Sequence, residues 1–271
     1  MSIQTPPATQ LSWKLARQGK VAVASYRHPP RNLMTFADMS ELERLVAEVG
    51  RDDTVTVLVI ASEVPGYFVA HGDLEDLVKL GAGQEFDGDA GSWPRTLDLF
   101  ATIPQIVVAA IDGQAWGGGL EMALAATMRV AGPHADLALC EVGLGLIPGG
   151  GGTQRLPRMV GPGRAAEMIL SCRSVLADEA LSIGLVQAVL PETPFLDAVL
   201  SWVTPIAERS PAALRAAKEA VLAAAHLPLA EGLALEGSLV WPLLSSQPAL
   251  GLQHRAVERY ATTPPDVTVR F

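Results

Sequence analysis

Two short runs of mostly β-branched, uncharged apolar residues constrain this chain most: Val55–Ala61 (VTVLVIA) and Ile106–Ile111 (IVVAAI). Residues that are apolar at nearly every successive position predict strands covered on both faces, which is the character of parallel rather than one-sided antiparallel sheets. Each run leads into a glycine-containing turn and then a helix-like stretch, so the chain is expected to be α/β with mainly parallel strands. Upstream, Trp13–Gln18 and Val21–Tyr26 alternate around Gly19-Lys20 and predict a hairpin. His28-Pro29-Pro30-Arg31-Asn32 breaks regular structure. Met39, Leu42, Leu45, Val46 and Val49 then recur at helical spacing, with Thr35 or Ser40 as candidate N-caps. A further helix is expected over 120–130. Beyond residue 160 the pattern is almost wholly helical, in stretches near 164–172, 178–183, 195–207, 211–226 and 230–244. No strand is expected after Val186–Val189, and 253–271 carries no readable signal. With 271 residues the chain suffices for one large domain plus a module. The expected division is a core over 1–195 and a helical, oligomer-forming module over 196–271.

Composition narrows the function classes. Apolar residues make up 49% of the chain, enough for a sizeable core, which excludes disordered and collagen-like classes. A net charge of −9 argues against a nucleic-acid partner. No apolar run approaches the roughly 18 residues that span a bilayer. The first ten residues show no signal-peptide pattern, so a cytoplasmic, membrane-free protein is expected. Two cysteines, Cys140 and Cys172, make no disulfide scaffold and have no metal-type spacing. The charge is uneven: residues 1–37 hold five basic residues (Lys14, Arg17, Lys20, Arg27, Arg31) and no acidic one. Such an edge suits a phosphorylated ligand, or is an ordinary solvated face.

Chemistry concentrates at two glycine clusters. Gly117-Gly118-Gly119 follows the second strand, and six of the ten residues from Gly143 to Gly152 are glycine. Glycine permits close backbone approach, and a strand–turn–helix junction leaves free N–H groups at the helix start. Nucleotide motifs do not fit: there is no G-x-x-x-x-G-K-S/T, the first cluster is not G-x-G-x-x-G, and G-x-S-x-G and H-E-x-x-H are absent. Each cluster alone could be a tight structural turn. Glu121 follows the first cluster and Glu141 precedes the second. An acid in a helix's first turn is also an ordinary dipole partner, whereas Glu141 among apolar neighbours is harder to explain as a surface charge. Backbone N–H groups beside two carboxyls suit a carbonyl that gains negative charge while protons move on adjacent carbons.

These residues resemble the crotonase (enoyl-CoA hydratase/isomerase) superfamily over roughly 12–220. The resemblance rests on four ordered blocks: Phe68-Val69-Ala70-His71-Gly72-Asp73-Leu74; Gly117-Gly118-Gly119-Leu120-Glu121; Cys140-Glu141 through Gly145-Leu146-Ile147-Pro148-Gly149 to Gly151-Gly152-Thr153-Gln154-Arg155-Leu156; and Ala177–Ala180 through Gly184-Leu185-Val186. It implies a spiral of ββα units with a C-terminal helical module. The N–H groups of Gly72 and Gly118 match an oxyanion hole for a thioester carbonyl. Glu121 and Glu141 match the two glutamates of the hydratases, the first activating water for attack at C3 and the second delivering a proton to C2. Ala70, Asp73 and Gly149 match substrate- and water-positioning positions. Arg27 and Arg31 lie in the turn matching the adenosine-contacting loop. The implied activity is hydration of a 2-enoyl-CoA; the alternative is isomerisation or another acyl-CoA hydrolase or lyase reaction, and a non-catalytic binding member is the third reading. No cofactor is implied beyond coenzyme A as part of the substrate, and the implied assembly is a homotrimer or dimer of trimers.

The chain departs from the pattern in places. His71 stands where the family has glycine; it is either an added substrate-contacting group or a tolerated side chain turned away. Cys140 replaces a common proline and is expected to be an inert thiol. Trp116 either restricts the acyl chain or is a core aromatic. The usual C-terminal pattern is missing.

Overall fold

The fold is seen in a computed structural model that describes residues 11–191 and 194–270. Strands β1 (Trp13–Gln18) and β2 (Val21–Tyr26) form the expected antiparallel hairpin. β2 pairs in parallel with β3 (Val57–Ser62), β3 with β4 (Ile106–Ile111), β4 with β6 (Met128–Ala131), and β6 with β9 (Ala188–Val189). The resulting six-stranded sheet runs β1-β2-β3-β4-β6-β9. β2 and β4 are buried along their whole length, as two-face coverage requires. A second sheet joins β5 (Gln114–Trp116), β7 (Asp136–Ala138) and β8 (Val175–Leu176).

Helix α1 (Phe36–Val49) starts where the sequence predicts. Thr35 accepts from the Asp38 N–H while the Asp38 carboxylate accepts from the Thr35 N–H, a complete capping box. Met39, Leu42, Val46 and Val49 form its buried stripe. Helices α2 (Leu74–Gly81) and α3 (Ser92–Thr102) follow, and α3 packs on α1. Helix α4 (Gly118–Ala125) is shorter than expected: the predicted 120–130 helix stops at Ala125, and Met128–Ala131 is strand β6. An unbroken apolar run has no period to separate the two, and pairing with β4 decides it. Helices α5 (Gly152–Val160), α6 (Pro162–Ser171) and α7 (Ala177–Ser182) lead to β9.

The chain divides into two compact units, up to Ala207 and from Glu208. Helix α8 (Phe195–Ala207) therefore belongs to the first unit, not to a module starting at 196. Its Val199, Val203 and Ala207 are buried, and it packs on β2 and β3. The second unit holds α9 (Pro211–Ala223), α10 (Leu229–Leu244) and α11 (Gln247–Thr262), so the unreadable tail begins with a helix. Among the described residues, no helix is long and apolar enough to cross a membrane.

Candidate active site

The loop Phe68–Gly72 and the turn before α4 are tied together by their backbones. Phe68 and Trp116 donate to the Gln114 and Ala70 carbonyls at 2.9 Å each. Met34 anchors the far side, donating to the His71 carbonyl at 2.9 Å and accepting from Asp73 at 2.8 Å. Buried Asn32 fixes this assembly: its amide donates to the Phe68 carbonyl and the Ser62 hydroxyl, and its side-chain oxygen accepts from the His28 N–H at 2.7 Å. Asn32 thus links the basic turn to the glycine loop, a role no sequence motif revealed.

Within this frame, Gly72 and Gly118 leave their N–H groups without a hydrogen-bond partner among the described residues. The two glycines face one another: a side chain on Gly118 would place its Cβ 3.4 Å from the Gly72 nitrogen. Gly117 has φ +51°, a conformation that favours glycine, and a Cβ there would meet Glu141 Oε1 at 3.2 Å and His71 Cβ at 3.6 Å. The first cluster thus lies directly against one of the two carboxyls.

Glu121 sits in the first turn of α4 and is only 3% exposed. Its Oε1 accepts from the Gly152 N–H at 2.8 Å. Burial raises its proton affinity, opposed by the Gly152 and Gly150 amides and by the charge of Arg155. Arg155 in turn donates to the Gly150 carbonyl at 2.7 Å, pinning the second glycine cluster under Glu121. Glu141 opens a short 3-10 turn, Glu141–Leu144. Burial, with a smaller push from the Glu121 charge, raises its pKa to about 7, and its Oε2 is buried without a partner. Two carboxyls of raised proton affinity therefore meet beside two open N–H donors.

Other expected site residues have separate duties. Asp73 is the N-cap of α2, accepting from the Glu75 and Asp76 N–H groups. Ala70 is buried, and its backbone groups are engaged by Asn32 and Trp116. Gly149 is exposed and its N–H donates to nothing among the described residues; Gly152 holds Glu121 instead. Arg27 and Arg31 are exposed and form no ion pair among the described residues, whereas Lys14 and Arg17 pair with Glu63 and Asp52. The His71 ring turns back on its own chain, Nδ1 lying 2.6 Å from the Gly72 carbonyl. Because a carbonyl only accepts, Nδ1 carries the hydrogen. Trp116 is half-buried with its Nε1 unpartnered, and burial pushes the Cys140 thiol up.

Sequence reasoning missed Trp93. Its half-buried indole, from the first turn of α3, lies across the site: a Gly118 Cβ would stand 2.4 Å from Cζ2, a Gly72 Cβ 3.7 Å from Cη2, and a Gly150 Cβ 2.7 Å from Nε1 and 2.6 Å from Glu121 Oε2. Nothing in Gly91-Ser92-Trp93-Pro94 flags it, because only the packing of α3 against α4 brings it there.

A sequence model of the enoyl-CoA hydratase/isomerase family matches residues 16–254. The mitochondrial methylglutaconyl-CoA hydratase of Mus musculus is 35% identical over 86% of this chain and 75% of its own length. Among solved structures, the enoyl-CoA hydratase of Bacillus anthracis superposes with TM-score 0.84 at 30% identity, covering 92% of this chain and 97% of that one. A Thermobifida fusca relative solved in complex with CoA superposes with TM-score 0.77 at 28% identity, covering 87% and 93%.

Proposed function

The chain belongs to the enoyl-CoA hydratase/isomerase family and has its mixed α/β fold, and on that premise we propose that it is a hydratase acting on a 2-enoyl-CoA thioester. The observation that carries this reading is the pair of carboxyls, buried Glu121 and half-buried Glu141, set beside two N–H groups with no partner of their own among the described residues. In the proposed mechanism the thioester oxygen binds between the Gly72 and Gly118 amides, which strengthen their hold as negative charge develops on it. Glu121 takes a proton from water as the oxygen attacks C3, and the electron pair of the double bond moves toward C2 and the carbonyl. A carboxyl proton, from Glu141, is delivered to C2, the enolate collapses, and a 3-hydroxyacyl-CoA results. The water supplies both the hydroxyl and, through the carboxyls, the hydrogen that balance the addition. Electron count does not change, so no redox group is called for, and coenzyme A enters with the substrate. Ala70 and Gly149 would border the acyl group and the water, and Arg27 and Arg31 would meet the phosphates of the carrier.

The test follows loss of the conjugated enoyl-thioester absorbance of crotonyl-CoA in wild type, Glu121→Gln and Glu141→Gln. Rapid loss in wild type and its abolition in both variants is expected. Turnover of a 3-enoyl-CoA to the conjugated isomer with only one glutamate needed would replace this reading by isomerisation. We also propose a homotrimer or dimer of trimers. The second unit supports it, because α10 and α11 contain no buried residue and expose Leu229, Leu233, Trp241, Leu244 and Val257. Light scattering behind size exclusion tests that assembly.

A further inference from the structure

We propose that Trp93 is the residue that sets which acyl groups this site accepts, its indole walling the slot between the glycine pair and Glu121 so that only small acyl groups fit. The inference rests on the acyl-CoA reading above and names a determinant within it. The six-membered edge of the indole packs on the Cα side of Gly118 and Gly72, the two residues offering open N–H groups. The Nε1 edge reaches Gly150 where Glu121 Oε2 also lies. One rigid side chain therefore runs from the thioester end of the site to the carboxyl end, the same span that the reacting carbons must cover. Anything bound between those ends lies against the indole.

The close fit has a cost visible in the sequence. Gly118 and Gly150 are open to nothing larger than hydrogen while Trp93 is in place, since a Cβ would come within 2.4 Å and 2.7 Å of the ring. The indole is held by packing: Trp93 leans on the hydrophobic core, and α3 packs against both α1 and α4. Trp93 Nε1 makes no hydrogen bond among the described residues, so no polar tether adds to that packing. A wall of this kind acts by volume, and each methylene that a pocket accepts or refuses changes recognition by about tenfold or more.

The test is calorimetric binding of two unreactive saturated thioesters, butyryl-CoA and octanoyl-CoA, to wild type, Trp93→Phe and Trp93→Ala, with circular dichroism to confirm folding. Wild type should prefer butyryl-CoA. Trp93→Ala should shift the octanoyl-to-butyryl affinity ratio by about tenfold or more toward the longer chain, and Trp93→Phe, which keeps most of the wall, by less. An unchanged ratio in folded Trp93→Ala overturns the inference. If that variant does not fold, an unchanged ratio in Trp93→Phe overturns it. Failure of wild type to bind either thioester overturns it together with the acyl-CoA reading. Because these ligands lack the double bond, a shifted ratio in a protein that does not hydrate crotonyl-CoA would leave the wall standing and remove only the hydratase assignment.

Discussion

At the scale of single residues, burial is the largest influence on the proton affinities of both carboxyls in the candidate site. For Glu141 the loss of solvent outweighs the hydrogen bond from its own backbone N–H, so its proton stays on to about pH 7. That poises it as an acid near neutrality, and kcat/KM for crotonyl-CoA should fall as pH rises through about 7, with a second decline on the acid side as Glu121 is protonated. A pH–rate profile checks this. The same shift makes a stability prediction. The folded chain keeps the Glu141 proton at pH values where the unfolded chain has released it, so this group's contribution is full below the ordinary glutamate value and is lost as pH rises toward 7. Glu141→Gln removes that loss. Its melting temperature relative to wild type should therefore be higher at pH 8 than at pH 5. For catalysis, Glu121→Gln and Glu141→Gln should each lower kcat by about 10²–10⁴.

At the scale of elements, the site depends on how loops and helices are pinned. Asn32 bridges the turn after β2, the end of β3 and the Phe68–Gly72 loop. Asn32→Ala leaves buried groups unpaired, and a loss of about 2–3 kcal/mol of stability is expected in chemical denaturation, with weaker turnover in the protein that remains folded because the Gly72 amide loses its support. Where α3 meets α4, Gly118→Ala would push a Cβ into the Trp93 ring. It keeps the backbone N–H, yet kcat/KM should fall by about tenfold or more, since misplacement on the ångström scale is costly in a preorganised site. Thermal melting separates that loss from unfolding.

At the scale of the whole molecule, the net charge of −9 would repel a phosphate-bearing ligand, and the exposed Arg27 and Arg31 offer local compensation. Replacing both with alanine should raise KM for acyl-CoA about two- to fivefold, as exposed charge contacts are each worth under about 1 kcal/mol, with kcat little changed. Salt screens the arginine contacts, so the gap in KM between wild type and variant should narrow as ionic strength rises.

The sequence by itself determined the elements with a clear period or cap and the ordered glycine blocks. The hairpin around Gly19, the capped helix α1, the β3 and β4 runs and the limits of α8 were all legible, because spacing and capping are local properties of the chain. The standing of each glutamate next to a glycine cluster was legible for the same reason, and the fold brings Glu141 against Gly117 and Glu121 against Gly150 and Gly152. Tertiary structure alone decided three things. It ended α4 at Ala125, because pairing of Met128–Ala131 with β4 outweighs a helix-favouring apolar run with no stop signal. It assigned α8 to the first unit, because the burial of Val199 and Val203 depends on the sheet they cover. And it placed Trp93 across Gly72, Gly118 and Gly150, residues separated from it by 21 to 57 positions in the chain. Proximity between residues so far apart leaves no mark on local spacing; it comes into being only when the helices pack.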